Sequence, residues 1–206
     1  MIGADGGDNG EAEVRPVAAA EAPADGPSLA LIELASIARG FPVADAMVKR
    51  APVALTDCRP ISPGKFLVLV IGEVAAVDEA FRAGLAIAGD RIVDRLFLPQ
   101  AHAQLGPAVR GTIRAATIES FAAVETTTVA AAIVAADAAV KAAAVRIVEM
   151  QLGRGIGGKA FFTLSGPLAE IEAAVEAATG VIERALLVAT EIVAAPHDDL
   201  VAKLPG

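Results

Sequence analysis

A glycine-rich segment in the second half of the chain, residues 153–159, has the spacing of two nucleotide-binding loops. It satisfies G-x-G-x-x-G and, up to the final position, G-x-x-x-x-G-K. Both motifs require a following helix, because the N–H groups of its first turn bind the phosphates. Residues 160–164 instead predict a strand, and Ala160 lacks the hydroxyl that a phosphate loop offers to magnesium. We therefore interpret the segment as a tight turn that glycine permits, and we predict no bound cofactor.

Three other side chains could bind a metal or act on a substrate: Cys58, His102 and His197. A single cysteine cannot form a disulfide within the chain. Neither histidine has neighbours at metal-ligand spacing, apart from Asp198 and Asp199, which we expect to begin a short C-terminal helix with Asp198 as its cap. The sequence therefore predicts no catalytic residues and no metal site, and the protein is not expected to be an enzyme.

The composition argues against two classes of partner. The chain has 206 residues and a formal net charge of −8, whereas a nucleic-acid-binding surface must be basic to displace counterions. Residues 121–148 are the most apolar stretch, but Glu125, Asp137 and Lys141 interrupt it before it reaches the roughly 20 residues that cross a bilayer. The N-terminus does not resemble a signal peptide. We therefore expect a cytoplasmic protein with no nucleic-acid or membrane partner.

The chain contains an internal repeat. Residues of the first half recur in the same order 92 positions later, and the offset then becomes 94 and finally 95. The matched pairs include Glu33 with Glu125, Asp45 with Asp137, Lys49 with Lys141, Gly64 with Gly158, Lys65 with Lys159, and His102 with His197. Because charged and glycine positions in a fixed order do not arise from alanine-rich composition alone, we infer a duplication.

Each copy predicts the element order βαββαβ. In the first copy we expect strands at 29–37, 53–58, 66–71 and 92–98, with helices at 42–50 and 74–88. In the second we expect strands at 122–128, 145–152, 160–164 and 181–193, with helices at 130–142 and 168–178. This order predicts an α+β fold, with an antiparallel sheet and helices on one face in each copy.

Four regions follow from the repeat and from the composition. Residues 1–27 are rich in Gly, Asp, Glu and Pro and are expected to be a disordered extension. Residues 28–106 form the first predicted domain, 107–116 a linker, and 117–206 the second domain.

Six short segments resemble one known domain. In the first copy they are 44–49 (ADAMVK), 61–64 (ISPG) and 99–102 (PQAH), and in the second 136–141 (ADAAVK), 155–158 (GIGG) and 196–197 (PH). All six resemble the bacterial microcompartment (BMC) shell domain, in register and over roughly residues 29–203. The resemblance implies two tandem ferredoxin-like BMC domains that form a structural tile of a bacterial microcompartment shell.

The resemblance also implies roles for particular residues. Three chains would form a homotrimeric pseudohexamer that joins other shell proteins, both hexamers and pentamers, and passes small metabolites through a central pore. The pore candidates are Ser62, Pro63, Gly64, Ile156, Gly157 and Gly158. Lys49 and Lys141 would lie at tile edges, although the edge arginine usual in the family is replaced by Gln100 and Ala195.

Charged residues flank both predicted pore loops. Arg59 and Lys65 flank the first, and Arg154 and Lys159 the second, so a trimer would gather up to twelve cations near its axis. One hypothesis is that these cations favour the passage of anionic metabolites. The alternative is that they bind acidic groups between subunits.

Three copies of Cys58 around a trimer axis could hold a metal or an iron–sulfur cluster, as the resemblance allows. Cys58 lies four residues before Ser62, within a predicted strand, so we favour a buried thiol. Glu33 and Glu125 also lie in predicted strands, where we expect hydrogen-bonded structural roles at a chain interface rather than acid catalysis.

One further function remains open from the sequence. The alternative to a shell protein is a trimeric ferredoxin-like protein that binds a small ligand or transmits a signal, with the loop glycines holding a small anion.

Overall fold

A computed structural model of the protein describes residues 26–113 and 118–204, so nearly all of the predicted N-terminal extension lies outside the described residues. The first copy contains β1 (Ser28–Leu34), α1 (Ile37–Arg50), β2 (Ala54–Ile61), β3 (Lys65–Gly72), α2 (Val74–Ala88) and β4 (Ile92–Leu98). The helix α3 (Leu105–Val109) follows. The second copy contains β5 (Ser120–Thr126), α4 (Val129–Ala142), β6 (Arg146–Leu152), β7 (Ala160–Gly166), α5 (Leu168–Gly180), β8 (Leu187–Ala194) and α6 (Asp198–Val201).

The two copies form two separate four-stranded sheets of the same topology. Their strand orders are β2-β3-β1-β4 and β6-β7-β5-β8, and every neighbouring pair is antiparallel. Two helices of each copy pack against its sheet. This arrangement confirms the predicted α+β class and the ferredoxin-like order of elements in each domain.

The central strands of the first sheet are buried on both faces. In β1, alternate residues such as Ile32 share a core with Met47 of the domain's own helix α1. Leu29 and Leu31 point to the opposite face, because side chains alternate along a strand, and there they join a core that includes α4 of the second domain. The two domains are therefore joined by a continuous apolar core.

Several predicted element boundaries were wrong, with the largest differences at the starts of α1 and β8. The predicted strands 29–37 and 53–58 end at Leu34 and Ile61. Helix α1 begins at Ile37 rather than at residue 42, because the Ser36 hydroxyl caps it by accepting a hydrogen bond from the Arg39 N–H (3.3 Å). Pro42 therefore lies inside the helix. Strand β8 begins at Leu187 rather than at residue 181, because the segment after α5 turns back on itself through a hydrogen bond from the Leu186 N–H to the Glu183 carbonyl (2.8 Å).

The predicted cap of the C-terminal helix was also wrong by one residue. Asp198 is the first residue of α6, and His197 is its N-cap, where the imidazole Nδ1 accepts a hydrogen bond from the Asp199 N–H (3.2 Å). Within the part of the chain that the structure describes, no helix is long and apolar enough to cross a membrane.

Close packing of α1 on the first sheet depends on Gly40. A β-carbon at this position would collide with the aromatic ring of Phe66, which is fully buried in β3. Gly180, at the end of α5, has no atom within 4 Å of such a β-carbon. The two glycines therefore provide a matched pair, one in a tight contact and one in open space.

We predict that Gly40→Ala lowers the free energy of unfolding by roughly 1–3 kcal/mol, because the core must move to accept the methyl group. Gly180→Ala should be neutral or slightly stabilising, since alanine favours the helix. Denaturant unfolding at one fixed protein concentration measures both. Equal midpoints for the two variants would contradict this account of the packing.

Candidate functional site

The two loops predicted to line a pore lie against each other in one chain. Ser62, Pro63 and Gly64 form the turn between β2 and β3, and their side chains and backbone are exposed. Gly158, in the longer loop between β6 and β7, is buried at this contact, and a side chain there would collide with the Ser62 carbonyl. Gly158 also has a positive φ of 77°, a conformation that favours glycine. The predicted loops are thus neighbours.

The second loop differs from the first in exposure along its length. Gly157 is exposed and Ile156 is partly buried. Two additional residues make this loop longer than its counterpart, as the change of offset in the repeat requires.

A buried carboxylate joins the two domains beside these loops. Glu33 on β1 is fully buried and forms an ion pair with Lys65 of β3. Its other oxygen accepts a hydrogen bond (3.0 Å) from the backbone N–H of Val129, the first residue of α4. Lys65 also donates to the Gly158 carbonyl (3.0 Å). The Glu33–Lys65 pair therefore connects β1 and β3 of the first domain to the second domain. Glu33 binds the start of α4, and Lys65 binds the loop before β7.

The environment of Glu33 favours its protonated form more than water does. Burial raises the pKa of Glu33, while the ion pair with Lys65 and the hydrogen bond from Val129 partly lower it. Such an acid requires its partners, because an unpaired charge in this position would be costly. Glu33 is hydrogen-bonded, as expected, but its partners lie in the two domains of one chain and not at an interface between chains.

The equivalent acid of the second domain lacks a covering helix. Glu125 pairs with Lys159 (2.8 Å), as Glu33 pairs with Lys65, but its side chain is 37% exposed. The counterpart of the Val129 N–H, by the 92-residue offset, is that of Ile37 on the first domain. In the single chain Ile37 and the Glu125 side chain are both partly exposed.

A second polar cluster holds the C-terminal half of α4 against the first domain. Asp137 is buried and accepts a hydrogen bond from the His102 backbone N–H (2.7 Å). Lys141 binds both Asp137 (2.6 Å) and the Gln100 carbonyl (2.6 Å). The ammonium of Lys141 is thus engaged within the chain, while its side chain stays 46% exposed. Its predicted role at a tile edge stays a prediction.

The counterpart cluster on α1 is open. Lys49 pairs with Asp45 (2.7 Å), and both side chains are more than half exposed. The motif that the sequence showed twice therefore occurs in two environments, one closed by the neighbouring domain and one free.

Several contacts between the domains had no signal in the sequence. The Thr128 hydroxyl caps α4 and donates to the Asp94 carboxylate of β4 (2.5 Å). The Gln104 side chain binds both the Val145 carbonyl and the Ile147 N–H on the second domain (2.9 Å each). For Asp94 alone, comparison of the two copies offers a clue, because its counterpart in the second copy is Ala189.

Most of the cations that flank the predicted pore loops pair with acids of the same chain. Three of the four cations in each chain pair with acids: Lys65 with Glu33, Lys159 with Glu125, and Arg59 with Asp57. Arg154 is exposed and has no acidic partner in the described ranges. All three ion pairs lie within one chain, so the cationic pore and its alternative, in which these side chains bind acids between subunits, both stay predictions.

Cys58 and His102 are the remaining candidate side chains, and each contacts other parts of its own chain. Cys58 is half-buried beside the core of the first domain, and burial and the nearby Asp57 raise the pKa of its thiol. His102 accepts a hydrogen bond from the Gln104 N–H through its Nδ1 (3.3 Å). Among the described residues, no group of three or more His, Cys, Asp or Glu side chains could hold a metal ion.

Comparison with known proteins gives a consistent result. The model of the BMC domain matches residues 28–101 and again residues 120–196. The bacterial microcompartment shell protein PduT of Citrobacter freundii is 40% identical over 174 residues, which cover 84% of this chain and 95% of PduT. The probable carboxysome shell protein CsoS1E of Prochlorococcus marinus (strain MIT 9313) is 33% identical over 104 residues, 48% of this chain and 51% of that protein.

Solved structures show the same relationship. The crystal structure of a microcompartment protein from Desulfitobacterium hafniense DCB has a TM-score of 0.81 and 40% identity, covering 86% of this chain and 99% of that one. The fused permuted hexameric shell protein MSM0275 of the RMM microcompartment has a TM-score of 0.58 and 26% identity, covering 75% and 82%. The chain therefore belongs to the BMC domain family of microcompartment shell proteins, with two BMC domains in tandem.

Proposed function

We propose that the protein is a structural tile of a bacterial microcompartment shell, in which three copies close a ring of six BMC domains around a pore for small metabolites. The observation that supports the ring is a difference in burial between two equivalent helices. Helix α4 is buried on two sides, by its own sheet and by that of the first domain. Its counterpart α1 is buried on one side only, with four buried residues.

The exposed side of α1 carries apolar residues whose counterparts on α4 are buried. Three residues of α1 have exposures of 39–60%, whereas the matching residues of α4 have exposures of 0–6%. The matched pairs are Ile37 with Val129, Phe41 with Ile133, and Val48 with Val140. Exposed apolar side chains at these positions favour packing of α1 against a second sheet, as α4 packs against the sheet of the first domain.

The second sheet offers the complementary surface. Helix α4 packs on strands β1 and β4 of the first sheet. Strand β8 occupies the position of β4 in the second sheet, and it is exposed along much of its length. In the proposed ring, α1 of one chain packs on the second sheet of the neighbouring chain. There the Ile37 N–H donates to Glu125, as the Val129 N–H donates to Glu33 within one chain. A helix side that binds a sheet side is a head-to-tail contact, and such a contact forms a ring when the rotation between neighbouring chains closes.

The ring supports the proposed pore. Each chain brings two neighbouring loops to one place, so three chains would surround an axis with six loops. Small residues and backbone groups at Ser62, Pro63, Gly64, Ile156, Gly157 and Gly158 would line the opening. Other shell proteins would meet the ring at its outer edges, where we place Lys49 and Lys141.

The ring predicts that Val48→Asp converts the protein from a trimer to a monomer at micromolar concentration, because the acid would be buried against a neighbouring sheet. Val181→Asp is the matched control: Val181 and its counterpart Ile87 are exposed in both domains, so neither lies at a domain contact. Sedimentation velocity measures the mass. A wild-type monomer, or a trimer that tolerates Val48→Asp, would exclude this ring.

The edge assignment predicts that Lys49→Gln and Lys141→Gln leave the trimer intact but reduce association between tiles. Lys203→Gln, an exposed lysine near the C-terminus, serves as the control for the lost charge. Electron microscopy of sheets or shells formed with partner proteins gives the readout. Normal assembly by both variants would remove these lysines from the edge.

The pore assignment predicts that Ile156→Trp slows the entry of substrate into assembled shells, because a large side chain would narrow the opening. Leu168→Trp is the control: Leu168 is exposed and follows the end of β7 opposite to this loop. The rate of an encapsulated enzyme, compared with its rate after the shells are broken, reports passage. If intact shells of both variants pass substrate equally, the loop does not line the path.

A further inference from the structure

A cleft of about 650 Å³ lies where the edge strand of each sheet meets the segment after α3. One wall is formed by β2, the opposite wall by β6, and the third by the chain just after α3. This volume is in the range of small-molecule binding sites. The cleft is complete within one chain and does not depend on the proposed ring or its pore.

The lining of the cleft is cationic in an acidic protein. Arg59, Arg110 and Arg154 line it, and Asp57 is the one acid among the described residues that line it. The lining therefore carries a formal charge of +2, whereas the whole chain carries −8. Charge of one sign held in a concave surface raises the local concentration of oppositely charged solutes.

Two bonds fix the position of Arg59. Its Nε donates to Asp57 (2.9 Å), and one terminal nitrogen donates to the Leu152 carbonyl across the cleft (2.6 Å). These bonds use two of the five N–H donors of the guanidinium. Arg59 therefore joins the two walls and is already ordered before a ligand arrives, which lowers the entropic cost of binding.

The other two arginines are available to a ligand. Arg110 and Arg154 are exposed, and neither forms an ion pair with a residue in the described part of the chain. A guanidinium binds carboxylate and phosphate groups through paired N–H donors, so these two side chains offer charge and geometry suited to such groups. Met150 and Leu152 supply apolar surface in the same cleft for the organic part of a ligand.

We propose that this cleft binds a small organic molecule with two negative charges, carried by a phosphate ester or by two carboxylates. Arg110 and Arg154 contact the anionic groups, and Arg59, whose charge is balanced by Asp57, offers its remaining N–H donors. The neighbouring position of Arg154, at the start of the second pore loop, places the bound anion beside that loop.

The test is isothermal titration calorimetry of the full-length protein at low ionic strength with three probes: glycerol 3-phosphate, succinate and glycerol. We expect saturable binding of one or both dianions, with one site per chain, and none of glycerol. Binding of the phosphate alone identifies a phosphate-ester site, and binding of both identifies a general dianion site. Each result supports the proposal.

Variants locate the binding. Arg110→Gln and Arg154→Gln should each weaken the dianion by roughly tenfold, since each removes one charge-assisted contact. Arg184→Gln, an exposed arginine in the turn before β8, removes the same charge elsewhere and should leave affinity unchanged. The proposal is overturned if neither dianion binds, if glycerol binds as tightly, or if the double variant retains wild-type affinity. These outcomes are independent of the oligomeric state, so they do not test the shell role.

Discussion

Helix α4 lies between two sheets, and its alanine-rich sequence allows this position. Small side chains on both sides let the helix approach the sheet of its own domain and that of the first domain. Because both sides are buried, the two domains have one relative placement, and that placement sets the contact between the loops and the walls of the arginine-lined cleft.

The buried acids define how the two domains are positioned, and they add less to the stability of the contact than apolar packing does. Glu33 meets the N-terminus of α4, where a carboxylate is favoured by the helix dipole, and Asp137 binds the first domain from farther along the helix. A shift of the helix by one turn would leave either acid buried without its partners, at a cost that apolar contacts alone would not impose. Apolar packing thus provides most of the attraction, and the acids define the register.

The sequence predicted the fold because it contains the same information twice. Two copies with equal element order gave the topology of both sheets, and motifs such as that around Asp137 gave the family. The boundaries of α1 were missed because Pro42 was taken as a helix start, whereas Ser36 provides the cap.

The contacts between copies were harder to predict. Periodicity within a segment reports which side of a helix is buried against its own sheet, but it does not report a second partner. The hydrogen bond from the Val129 N–H to Glu33 and the cleft around Arg110 both join residues distant in sequence, so no local pattern indicated them.

The unequal loops change how such an opening can evolve. In a ring of identical single domains, any substitution in a loop is repeated six times around the axis. Here the short loop ending at Gly64 and the longer loop containing Gly157 are encoded separately in one chain. A substitution in either loop of the proposed ring would be repeated only three times, so one loop can change its chemistry while the other preserves the contact that keeps the opening in shape.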